Sequence, residues 1–199
     1  KASYGKKLTP HYRFAEAQVI TSFGADFLGT WLSPVEFARD FAKTRKVDEG
    51  KMSRLIVFES ALSLTGSNAD QYTAIRSGDE LFIALAVANE LIVQKARSRY
   101  SRNAEIVAAL QNYTPAKVAQ QCAVSVEAIR QVADELWSAR ERGLVVAGPA
   151  KAKHAIHLQS VVDLLNSALD NDGVTIDWKL PTTQISSSFT DFRRLAYEM

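Results

Sequence analysis

Short unbroken apolar runs alternate along this chain with longer stretches whose apolar residues recur every three or four positions. The short apolar run in "AQVI" predicts a strand, roughly Gln18 to Phe23. "SPVEFARDFAKTR" is of the second kind and predicts a helix. Ser33 is its expected cap, Pro34 suits its first position, and Glu36 completes a capping box. Val35, Ala38, Phe41 and Ala42 are expected on its buried face. "SRLIVFES" is a second strand, apolar enough to be covered on both faces as in a parallel sheet. The loop "ALSLTGSNAD" and a short run, "QYTAI", follow it.

"RSGDELFIALAVANELIVQKA" reads as a glycine turn and a long helix, apolar nearly all round and therefore deeply buried. Lys95, Arg97, Arg99 and Arg102 collect at and beyond its end, as a solvated terminus favoured by the helix dipole. "NAEIVAALQNY" is a short helix, and Thr114 and Pro115 open another. "SVEAIRQVADELWSARERG" is the clearest helix, with a stripe of Val126, Ile129, Val132, Ala133 and Leu136 and a stop at Gly143. "LVVAGPA" is a further strand ending in a Gly-Pro turn. "HAIHLQSVVDLLNSAL" is a helix closed by the turn "DNDG". Ser188 and Asp191 are spaced to cap a last helix.

Strands alternating with helices predict an α/β fold with a mostly parallel sheet and helices on both faces. The expected organisation is a single domain over 1–199, with a helical insertion at about 98–121. Ligands of such sheets lie outside the carboxyl ends of the strands, so the loops after Phe23, Phe58 and Ala147 are expected to share one rim.

Composition narrows the function. A net charge of +2 gives no broad electrostatic reason to bind nucleic acid. No stretch reaches the roughly 20 apolar residues of a membrane span. The single cysteine, Cys122, excludes an internal disulfide or a cysteine-held cluster within this chain and reads as a buried apolar residue. The chain does not begin with Met and stops inside a helical pattern, so it is expected to be a segment of a longer protein.

The loop "SFGADFLGTW" bears most directly on chemistry. Gly24 and Gly29 have the spacing of a phosphate-binding loop, but Thr30 stands where its Lys belongs. Asp26 occupies the place of the second glycine of a dinucleotide fingerprint and sets a negative charge where phosphates would lie. A tight strand-to-helix turn with Phe27 and Trp31 packed beneath it is the structural reading. His154 and His157 share a helical spacing, but further metal ligands are not near in sequence. "DNDG" lacks the later Glu of a calcium loop. Glu59 and Glu80, at element ends, suit helix capping or contacts to ribose and base edges.

"AQVITSFGADF", "RLIVFES…SNAD" and "AIRSGDELFIALAVANEL", in that order, resemble the dinucleotide-binding domain of the molybdopterin oxidoreductases, the dimethyl sulfoxide reductase family. "YTPAKVAQQCAVSVEAIRQVADELWSARERGLVVAGPA" and "VVDLLNSALDNDG" are similar to the stretches that follow in that family. The resemblance implies a Rossmann-like sheet whose rim holds guanosine ends of a molybdopterin guanine dinucleotide. Where the family usually has Gly-x-Asn-Pro, this chain has Gly24, Ala25, Asp26 and Phe27; for Asp-Pro-Arg it has Glu59, Ser60 and Ala61. For Pro-Gly-Thr-Asp it has Ser77, Gly78, Asp79 and Glu80. On this alignment Gly24, Asp26, Glu59, Ser60 and Glu80 line the rim.

The departures resemble one branch of the family. "FGADFLGTWLSPVEFARDFAKTR" and "FESALSLTGSNADQYTAIR" look like the molybdopterin-like half of the iron–sulfur subunit of alternative complex III, a quinol-oxidising respiratory membrane complex. That implies an electron-transfer scaffold without its own cofactor, with iron–sulfur clusters elsewhere in the parent. It also implies partner subunits of the complex and an exported parent on the periplasmic face. The alternative is a working dinucleotide-binding domain of an active molybdopterin enzyme, with Glu80 meeting a guanine edge and Glu59 a ribose or base.

Overall fold

The computed structural model of the 199-residue chain describes residues 9–47, 52–149, 152–179 and 189–198. The expected Ser188–Asp191 cap lies outside what is described. Strands β1 (His11–Tyr12) and β6 (Ile176–Asp177) form a small antiparallel pair. The main sheet holds β2 (Val19–Phe23), β3 (Arg54–Glu59), β4 (Gln71–Ala74) and β5 (Gly143–Ala147), all parallel, in the order β4-β3-β2-β5. The α/β architecture with a parallel sheet is therefore the one the pattern predicts.

Helix α1 (Pro34–Thr44) and the aromatic side chains of Phe14, Phe27, Phe37 and Phe41 pack with Ile20, Leu55, Val57, Leu144 and Val146 on one sheet face. Val19, Phe23, Ile56, Phe58 and Val145 point the other way, as the two-residue strand period requires. There they meet α3 (Glu80–Asn89), α6 (Val126–Ser138) and α7 (Ala152–Ala168). The short helices α2 (Leu64–Ser67), α4 (Ala104–Leu110) and α5 (Pro115–Cys122) and a terminal α8 (Phe189–Glu198) complete the described elements. Helices α4, α5 and α6 cover α3, so its all-round apolarity reflects burial between the sheet and a second helical layer.

Several local expectations need correction. Helix α1 buries Phe37 and Phe41, while Val35 is 85% exposed and Ala42 is exposed too. The aromatic cluster, not the aliphatic spacing, decides which side turns inward. Ser33 makes no side-chain capping bond, and Glu36 instead lies 3.6 Å from His11. The long central helix changes at Glu90 into a π turn, Glu90–Gln94. Its basic end is paired: Lys95 and Arg97 bind Asp134 at 2.6 and 2.7 Å, and Arg99 binds Ser167. Helix α6 ends at Ser138, and Gly143 begins β5. The cap expected at Thr114 does form, accepting from the Lys117 N–H, and the structure adds a cap by Ser125 on α6, accepting from the Ala128 N–H. Cys122 is buried, and burial pushes its thiol up to about 11, so it stays protonated at neutral pH.

The open side of the sheet is anchored by Asp70. Its carboxylate takes both guanidinium nitrogens of Arg45, at 2.7 and 2.9 Å, and the Leu55 N–H at 2.7 Å. Burial works against the charged form, but these donors hold Asp70 below the ordinary carboxylate range. A depressed folded pKa stabilises fully above the unfolded value of about 3.9, and the effect is lost as pH falls through the folded one. Asp70→Asn is therefore expected to cost about 1–2 kcal/mol at pH 7. Urea unfolding of both proteins at pH 7 and pH 3 checks this: the gap must narrow at the lower pH.

Candidate functional site

The chain leaves β2 outward through β3 to β4, then returns on the other side of β2 as β5. The carboxyl ends of β2 and β5 therefore flank a topological switch point, where sheets of this class bind ligands. Phe23 and Ala147 are register partners there. Just beyond them lies a crevice of about 560 Å³, lined by Gly24, Asp26, Thr30, Trp31, Leu32, Ala147, Gly148, Pro149, Ala155 and Gln159.

Two glycines shape its floor. Gly24 has φ +69° and donates its N–H to Phe58 O at 2.9 Å, turning the chain sharply out of β2. Gly148 donates to Phe23 O at 3.0 Å and lies so close to Gly24 that an added Cβ would sit 1.8 Å from the Gly24 oxygen. The two loops thus touch backbone to backbone.

Of the five rim residues expected from the sequence, two line the crevice, and Glu80 lies beside it, its Cγ 4.0 Å from where a Cβ on Gly24 would sit. Gly24 and Asp26 line the crevice; Glu59, Ser60 and Glu80 are not in its lining. Asp26 Oδ1 accepts from the Thr65 N–H at 3.1 Å and from the Thr65 hydroxyl at 3.0 Å, and Oδ2 from the Thr30 hydroxyl at 3.3 Å. Asp26 thus bonds the first turn of α2, across 39 residues of sequence. Its own carbonyl accepts from the Gly29, Thr30 and Trp31 N–H groups, which winds the turn over Phe27.

Glu59 is 4% exposed and folds back on its own loop. The Ser63 N–H and the Ser63 hydroxyl donate to its two oxygens, each at 2.8 Å. Gly66 makes room for this: a Cβ there would lie 2.0 Å from Glu59 Oε1. Glu80, 8% exposed at the start of α3, accepts the Gly78 N–H at 2.7 Å. Ser60 is exposed. Thr65, Ser63 and Gln159 were not legible as site residues, because single hydroxyl and amide positions carry no sequence signal. Gly148 and Pro149 had one, as the turn after a strand.

His154 lies 3.3 Å from Gly78 O and meets Phe82 edge-on, 5.8 Å between ring centres. Among the described residues, no group of three or more His, Cys, Asp or Glu side chains is placed to hold a metal ion. No described helix is long and apolar enough to cross a membrane. A second cavity, about 360 Å³ at the amino ends of the strands, is lined in part by Arg54, Asp134 and Glu135. Its charges are satisfied locally, Arg54 by Glu135 and Gln71, Asp134 by Lys95 and Arg97.

No family model matches this chain, and no curated protein does. Solved structures do. Acetylene hydratase from Pelobacter acetylenicus matches with a TM-score of 0.62 and 16% identity, over 81% of this chain and 22% of that one. This chain therefore spans about a fifth of the length of the enzyme whose fold it shares.

Proposed function

We propose that this chain is a molybdopterin-oxidoreductase-type α/β domain kept as scaffold and docking surface, in an iron–sulfur subunit of a respiratory, quinol-oxidising complex like alternative complex III. The structural likeness is to a molybdopterin enzyme of the dimethyl sulfoxide reductase family, which supports the fold half of this reading. The finer half rests on the order of motifs set out above.

One observation carries the cofactor-free part. The rim carboxylates a nucleotide would use are already bonded within the chain, Glu59 to the Ser63 N–H and hydroxyl and Glu80 to the Gly78 N–H. A pyrophosphate fits this rim poorly on two further counts. Among the described lining residues the single ionisable side chain is Asp26, and it is acidic. The floor where backbone N–H groups would approach phosphates is closed by Gly148 against Gly24. Among the described residues, no arginine stands in this lining to offset the charge. Redox steps are assigned to clusters elsewhere in the parent, and this domain contributes position and contact.

Titration of the chain with guanosine diphosphate tests the reading. The expected result is no saturable binding to millimolar concentration. Saturable binding that Glu80→Ala weakens would instead favour a working dinucleotide domain. The parent subunit is expected to contain iron without stoichiometric molybdenum, which elemental analysis of the purified protein checks.

A further inference from the structure

We propose that the switch-point crevice is a receptor for a guanidinium group: an arginine side chain of a docking protein enters it and pairs with Asp26 over the face of Trp31. This rests on the reading that no dinucleotide occupies the crevice, and it names what the scaffold's docking surface takes there.

Charge complementarity is the first ground. Among the described residues of the lining, Asp26 is the one with an ionisable side chain, and the other polar ones, Thr30 and Gln159, are neutral. Asp26 Oδ1 receives two donors, while Oδ2 receives a single, long one from Thr30. A carboxylate oxygen accepts more than one such bond, so Oδ2 keeps capacity for an incoming donor.

Shape is the second ground. Trp31 packs against Tyr12 and Phe37, with ring centres 5.0 and 5.6 Å apart, and this holds the indole in place while it lines the crevice. Leu32, held at φ +50°, and the small residues Ala147, Pro149 and Ala155 make the rest of the wall largely apolar. An apolar slot with one carboxylate and one fixed indole suits a planar, weakly hydrated cation on an apolar stem. Arginine meets that description better than lysine, whose ammonium is compact and strongly hydrated. A crevice of about 560 Å³ exceeds what one side chain fills, so flanking residues of the partner enter with it.

The probe is N-acetyl-arginine amide, titrated by NMR into the isotopically labelled chain. Saturable shifts are expected at the Trp31 indole and at the Gly24 and Gly148 amides, with affinity on the order of millimolar. Asp26→Asn keeps an oxygen for Thr65 and removes the charge; it is expected to weaken binding about tenfold. Trp31→Phe keeps an aromatic ring on Tyr12 and is expected to weaken binding about threefold. N-acetyl-lysine amide should bind more weakly than the arginine probe. Absence of saturation by the arginine probe, or shifts insensitive to both substitutions, overturns the proposal while leaving the scaffold reading intact. Saturable guanosine diphosphate binding in the same crevice overturns both.

Discussion

Asn166→Ala is expected to destabilise the fold by about 3 kcal/mol or more, the largest loss from any single polar side chain here. Strand β5 is an edge strand of the main sheet, and Val145 turns its amide and carbonyl away from β2. Asn166, 2% exposed on α7, answers both. Its Oδ1 accepts the Val145 N–H at 3.0 Å, and its Nδ2 donates to Val145 O at 2.8 Å. The same side chain also donates to Val162 O and accepts from Asn171 Nδ2. One amide therefore does for β5 what a neighbouring strand would do, and Thr175 adds a bond to Gly143 O at 2.6 Å.

Alanine at this position strands a buried N–H, a carbonyl and a second amide, each worth about 1–3 kcal/mol when left without a partner. It also uncovers a strand edge, so association should rise with the loss of stability. Asn166→Asp is the informative companion. It keeps acceptors for Val145 N–H but sets negative oxygens against two carbonyls, and should be no better than alanine. Denaturant midpoints and light scattering measure both effects. An unfolding free energy within about 0.5 kcal/mol of the wild type would show that the amide does not hold the edge.

Gly148→Ala is the second large effect, expected at about 2–4 kcal/mol. The added methyl meets Gly24 O at 1.8 Å, Gly24 C at 2.3 Å and Ala25 N at 2.7 Å, all backbone atoms that no rotamer change can move. The loops after β2 and β5 must part, and with them the strand ends they join. Gly173→Ala is the natural control. Its φ is +89°, but nothing lies within 4 Å of its Cβ, so it carries backbone strain alone, about 1–2 kcal/mol. If the two variants unfold at the same denaturant concentration, the close contact between the loops is not what requires glycine at 148.

The same two sites show how far the sequence could be read. "LIVF" and "LVVA" were recognisable as strands because each is apolar without interruption, and Gln18 to Phe23 from its shorter apolar start. The turn after Phe23 was recognisable from Gly24, and the burial of Phe27 beneath it followed. The inward face of α1 was misread, since Val35 satisfies helical spacing as well as Phe37 does. Only the cluster formed with Phe14, Phe27 and Tyr12 distinguishes them.

What the sequence determined by itself is therefore local: which segments are strands or helices, and that Thr114 caps α5. These follow from spacings of two to four residues, whose geometry is the same in any fold. The tertiary structure alone decided that β5 returns beside β2, that Asp26 bonds Thr65, that Glu59 bonds Ser63, and that Asn166 closes an edge. Each of these joins groups by a contact whose energy depends on distance and direction in space. A polar side chain carries the capacity for such a bond in its chemistry, and only the folded chain selects its partner.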